Sequence, residues 1–141
     1  VIRAVSLAVA LVVVLPACAP TADSFSIHRF STSADNEFPP LERTVADAGV
    51  ASRLYEDIRA LRPEPEGTYF CGLDFGIRYE LSFFAGRDRI LHGIMQGSCH
   101  LLDLGAGDVR AFDDRFEADL LGALGFYTRD NDLWPTPIPR P

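Results

Sequence analysis

The chain has 141 residues, which suits one domain, and 48% hydrophobic residues, too many for a disordered polymer. Its formal charge is −7, from 13 basic and 20 acidic side chains, and every basic residue is Arg. An acidic surface repels phosphate backbones, so no nucleic acid partner is expected, and the scattered arginines read as the codon bias of a high-GC genome.

The first element is a leader. Arg3 supplies one positive charge, and the apolar run from Ala4 to Leu15 is too short to span a bilayer. Charge, apolar run and small residues in that order are the pattern of a secretory signal. Its end, Leu15-Pro16-Ala17-Cys18, resembles the bacterial lipobox, with an apolar residue three before the Cys and a small one directly before it. Pro16 departs from the usual small residue between them. The resemblance implies a lipoprotein: cleavage of residues 1–17, diacylation of the Cys18 thiol, and palmitate-type anchoring in the cell envelope on the extracytoplasmic side. Loss of Arg3 takes the exported chain to −8.

Residues 18–40 are rich in Ser, Thr, Asp, Asn and Pro and read as a flexible tether. Such a coil would hold the domain roughly 25 Å from the bilayer. Alternatively, Phe25, Ile27 and Phe30 form a short strand or pack on the domain.

Residues 41–126 carry the domain. Leu41–Ala46 suggests a short strand, and Asp47 is a good N-cap for a helix with Val50, Leu54, Ile58 and Leu61 on one face, stopped by Pro63. After a linker, Tyr69–Cys71 approaches the sheet. From Gly76 to Phe83 the residues alternate, with Ile77, Tyr79, Leu81 and Phe83 on one side. Gly86-Arg87 is a tight turn into a strand over Arg89–Gln96, and Gly97-Ser98 turns again into Cys99–Leu104. Gly105–Asp108 leads to Val109–Phe112. Asp113 or Asp114 caps a last helix bearing Phe116, Leu120, Leu121 and Leu124, ended by Gly125. The expected fold class is α+β in two layers: an antiparallel four-stranded meander flanked by an N-terminal and a C-terminal helix.

Three cysteines leave one over in an exported chain. A lipid on Cys18 leaves Cys71 and Cys99 to form a structural disulfide in an oxidising compartment. The domain also resembles a family of small uncharacterised exported proteins of high-GC bacteria. Leu54–Leu61 with Pro63, Cys71, Gly76-x-x-Tyr79-x-Leu81-x-Phe83 and Gly97-Ser98-Cys99 carry the likeness, over Thr44–Gly125. It implies the same disulfide and α+β layout and supplies no activity.

Candidate chemistry is sparse. If both tight turns are two-residue loops, His92 lies opposite Asp103 and shares the face of Tyr79 and Leu81, with Ser82 pointing the other way. An imidazole beside a carboxylate is half of a catalytic arrangement, and no Gly-x-Ser-x-Gly elbow completes it. His28 and His100 stand alone, so no metal site is expected, and no cofactor fingerprint occurs. The acidic residues Asp108, Asp113, Asp114, Glu117 and Asp119 read as caps and a solvated face. Residues 127–141, with Pro at every second position from Pro135, read as a frayed Pro-rich tail from which Trp134 packs back; alternatively the tail docks on a partner. The expectation is a membrane-anchored binding or structural module for an envelope protein or ligand. The alternatives are a small extracytoplasmic hydrolase using His92 and Asp103, or an inhibitor of a secreted enzyme that presents Glu64–Gly67 or Asp74–Gly76.

Overall fold

Alternation along two neighbouring segments builds the centre of the molecule. In the computed structural model, which describes residues 20–67, 71–127 and 132–139, these are β5 (Ile77–Ala85) and β6 (Asp88–Gln96). The leader and Cys18 lie outside the described residues. Seven other strands occur among the described residues: β1 (Ser24–Ser31), β2 (Asn36–Glu37), β3 (Glu42–Val45), β4 (Arg62–Pro63), β7 (Leu101–Asp103), β8 (Val109–Ala111) and β9 (Ile138–Pro139). The helices are α1 (Ala48–Ala60) and α2 (Asp114–Leu124). The fold is α+β, and the meander β5-β6-β7-β8 forms part of an antiparallel sheet of seven strands, not four, in the order β3-β1-β5-β6-β7-β8-β4. A second sheet pairs β2 with β9.

Helix limits follow local chemistry. The Asp47 side chain accepts from the Val50 N–H and Asp113 from Phe116, so each carboxylate satisfies an otherwise unpaired amide of a first turn. Gly125, at φ 65°, closes α2 in a left-handed cap. Buried Ala51, Leu54, Tyr55 and Ile58 of α1 and Phe116, Leu120 and Leu124 of α2 cover one face of the sheet. That face presents Phe25, Ile27, Tyr79, Leu81, Phe83, Met95 and Leu102, all buried. Phe83 stacks on Phe25 at 5.4 Å and meets Tyr55 at 6.0 Å, which ties the two layers together.

Two expected boundaries are corrected. Within the tether expected over 18–40, residues Ser24–Ser31 and Asn36–Glu37 form strands, and β1 lies between β3 and β5, paired with β5 along its whole length. Its inward residues are Phe25, Ile27 and Arg29, and the Arg in third place hides the apolar alternation that marks a strand. The frayed tail over 127–141 is also corrected within 132–139. Leu133 is fully buried and β9 closes on β2, while Trp134 packs back as expected, meeting Tyr79 edge-on at 5.2 Å.

Arg29 joins β1 to the C-terminal segment. Its guanidinium, nearly out of solvent, donates to the Tyr79 hydroxyl at 2.8 Å, to the Pro39 carbonyl at 2.8 Å and to the Asp132 carbonyl. The Tyr79 hydroxyl donates in turn to the Leu133 carbonyl. A buried arginine needs such acceptor partners, and here they come from three separate parts of the chain. Among the described residues no helix is long and apolar enough to cross a membrane.

Candidate functional site

A groove at one end of the sheet combines apolar walls with two exposed large apolar side chains, Leu73 and Phe75. Its floor is Phe38, Ile77 and Gly97, one wall is the loop through Leu73, Asp74 and Phe75, and the other is Trp134 to Pro137. The volume is about 520 Å³, within the range of ligand pockets. Leu73 is 82% exposed and Phe75 47%, so both display apolar surface to water at the rim.

That loop is held at both ends. The Cys71–Cys99 disulfide, with Cα atoms 4.7 Å apart, fixes its start against the turn after β6. At its end, Gly76 adopts φ +85°, and a Cβ there would stand 2.8 Å from the Ser33 backbone nitrogen, so only glycine fits. The Gly76 amide donates to Asp74 at 2.9 Å, and its carbonyl accepts from the Thr32 amide at 2.8 Å. Arg78 grips the Asp74 carboxylate through two nitrogens, at 2.9 and 2.6 Å. Hydrogen bonding from Arg78 holds the Asp74 carboxyl below its ordinary range. Asn36 donates to the Phe75 carbonyl at 3.1 Å. Leu73 and Phe75 thus stand exposed on an ordered backbone.

The opposite wall is equally fixed. The Trp134 indole N–H donates to the buried Glu117 carboxylate, and its ring covers Gly97 so closely that a Cβ would fall 2.5 Å from ring carbon. Glu117, expected on a solvated face, is buried; its partner Trp134 is 17 residues away along the chain.

The candidate pair His92 and Asp103 is not brought together as expected. The two-residue turn at Gly86-Arg87 forms, and Ala85 pairs with Asp88 and Phe84 with Arg89. A bulge then shifts the register by one, so His92 faces Ser82 instead of Leu81. A one-residue shift turns side chains to the other face, and His92 lies away from the helices. The turn after β6 also holds four residues, because Gln96 pairs with Leu101, and Asp103 therefore faces Ile94.

The shift instead groups residues whose pairing was not foreseen. Ser82 Oγ is 3.3 Å from His92 Nδ1, Glu80 Oε1 is 3.7 Å from the same nitrogen, and Glu80 Oε2 is 4.0 Å from His28 Nδ1. A nucleophile–base–acid relay needs the hydroxyl on one imidazole nitrogen and the carboxylate on the other. Here both approach Nδ1, on an open sheet face, so His92 is not oriented to activate Ser82. His100 stacks on Phe112 at 5.2 Å. Among the described residues, no three His, Cys, Asp or Glu side chains converge to hold a metal.

A further cleft of about 480 Å³ lies between the end of α1 and the start of α2, beside Asp57, Pro63, Phe112 and Arg115. Its polar groups are partly engaged within the fold: Asp113 caps α2, and Arg115 stands 3.9 Å from Asp57. The apolar groove is the stronger binding feature.

Fold and groove together define a disulfide-stapled α+β protein with a preorganised apolar cleft. Compared with known proteins, the chain matches no family model, no curated sequence and no solved structure.

Proposed function

We propose that this is a lipid-anchored protein of the bacterial envelope, a binding module whose ligand site is the groove between the Cys71–Gly76 loop and the Trp134–Pro137 segment. The observation that carries the reading is the exposure of Leu73 and Phe75 on a loop pinned at both ends. Exposed apolar side chains on fixed backbone gain by being covered and lose little entropy on binding. The lipobox resemblance at Cys18 supports the anchor, and acyl labelling that vanishes in Cys18→Ala tests it.

The groove is tested with the chain's only tryptophan, Trp134, as reporter. The neutral apolar dye N-phenyl-1-naphthylamine is expected to bind saturably, change Trp134 emission and lose affinity in Leu73→Asp. Absence of saturable binding would refute the ligand site.

A second reading draws on the same loop. Leu73, 82% exposed beside the disulfide, resembles the rigid projecting loop of an enzyme inhibitor. Competitive inhibition of a secreted protease, lost in Leu73→Asp, would favour it over ligand capture. For the hydrolase reading, the shared Nδ1 of His92 speaks against catalysis.

A further inference from the structure

We infer that the occupant of the groove is a cationic amphipathic segment of another protein, one carrying apolar side chains between Arg or Lys residues. This rests on the groove being the binding site and does not depend on the lipid anchor.

The shape argues for side chains from an extended or irregular segment. Both walls are irregular chain, and a volume of about 520 Å³ accepts a few apolar side chains rather than a whole helix. Phe75 and Trp134 supply aromatic surface on which leucine-sized groups pack and over which a guanidinium or ammonium group is attracted.

Charge then selects among apolar segments. Asp35 and Glu37 are exposed in the stretch that leads directly into Phe38 on the groove floor. Asp74, which lines the groove, is neutralised by Arg78 behind it. The chain as a whole carries −7. An apolar segment flanked by acids meets repulsion from these neighbouring carboxylates, and one flanked by bases is drawn in; the contrast weakens as salt screens exposed charges.

The experiment follows Trp134 emission of the purified chain. The probes are a short amphipathic peptide of leucine and arginine, its leucine and glutamate counterpart, the neutral dye, and palmitate as the lipid competitor. The arginine peptide is expected to bind at least about tenfold more tightly than the glutamate peptide at low ionic strength, with the gap narrowing at high salt. Replacing Asp35→Asn and Glu37→Gln together is expected to shrink that gap while leaving dye affinity unchanged. Leu73→Ser, which removes apolar surface without adding charge at an exposed position, is expected to weaken both the dye and the arginine peptide.

Failures separate cleanly. If the dye does not bind, the groove reading falls, and this inference with it. If the dye binds but the two peptides bind equally, the charge selection is wrong and the groove stands. Displacement of the dye by palmitate at lower concentration than by the arginine peptide would assign the site to a lipid and overturn the inference.

Discussion

Tyr79 shows how one side chain joins distant parts of this chain. Its ring lies in the core, its hydroxyl accepts from Arg29 and donates to the Leu133 carbonyl, and burial pushes its pKa up to about 12 against the favourable pull of Arg29. In the unfolded chain the hydroxyl ionises near pH 10, so from there to about 12 the unfolded state loses its proton while the folded state keeps it. Stability is therefore full below pH 10 and falls above it, by ~2–3 kcal/mol for a shift of this size. Denaturant melts across pH 8–12 are expected to show this alkaline loss, and Tyr79→Phe is expected to remove it. At neutral pH the same variant should cost ~1–3 kcal/mol, because Arg29 loses an acceptor and the Leu133 carbonyl a donor. An unchanged alkaline limb in Tyr79→Phe would refute the assignment. Asp74 works in the opposite direction. Its carboxyl is held low chiefly by the hydrogen bond from Arg78, so its contribution is present above the unfolded pKa and lost as pH falls through the folded one. Acidification is expected to loosen the groove rim, and in Asp74→Asn the affinity for the neutral dye should be lower at neutral pH and insensitive to acid. The inward position of Tyr79 was legible from alternation with Ile77, Leu81 and Phe83. Its hydrogen bonds were not, because no spacing relates residue 79 to residues 29 and 133.

Elements were legible where periodicity and caps agree. Asp47 and Pro63 bracket α1, Asp113 and Gly125 bracket α2, and the turns around Gly86 and Gly97 separate β5, β6 and β7. Register was not legible, since neither the bulge near Phe83 nor the four-residue turn after Gln96 leaves a mark in composition. Those two details separate His92 from Asp103 and set it opposite Ser82 instead. The disulfide was readable from parity, and its placement gives it a second task at the groove. Its partners are 28 residues apart, a loop whose closure is worth ~3.6 kcal/mol by chain entropy. Cys71→Ser with Cys99→Ser is expected to lower the melting temperature and to weaken dye binding further than Asp74→Asn does, because it frees the start of the rim loop. If the double variant melts earlier but binds dye as before, the disulfide serves the fold alone. Gly97→Ala tests the other wall: a methyl group 2.5 Å from the Trp134 ring must displace the indole, so its emission should change without ligand.

At the scale of the molecule, the two ends of the central sheet have different neighbours. The described chain begins at Pro20 and enters beside the β5–β6 turn, where the Asp23 amide donates to the Phe84 carbonyl at 2.8 Å and the Gly86 amide donates to the Asp23 carboxylate at 2.5 Å. The groove lies at the other end, beside Ile77 and Gly97. Nine residues of β5 separate the ends, ~30 Å of extended strand. From Cys18 to Asp23 the chain spans five steps and reaches at most ~17 Å, less than the sheet is long. A lipid on Cys18 would therefore hold the Gly86-Arg87 turn toward the bilayer and present the groove to whatever lies beyond. This polarity was legible only in fragments: Phe25 and Ile27 allowed a strand and Trp134 a return to the core, but Arg29 hides the alternation of β1 and nothing in the tail pairs it with β2. The arrangement has a direct test in the lipidated protein bound to vesicles of phosphatidylcholine with brominated acyl chains, which quench nearby indoles. Trp134 is expected to keep its emission, whereas an indole introduced by Arg87→Trp in a Trp134→Phe background should be quenched more strongly. Equal quenching at both positions would mean that the molecule lies flat on the membrane, and the apolar rim of Leu73 and Phe75 would then face lipid instead of a protein partner.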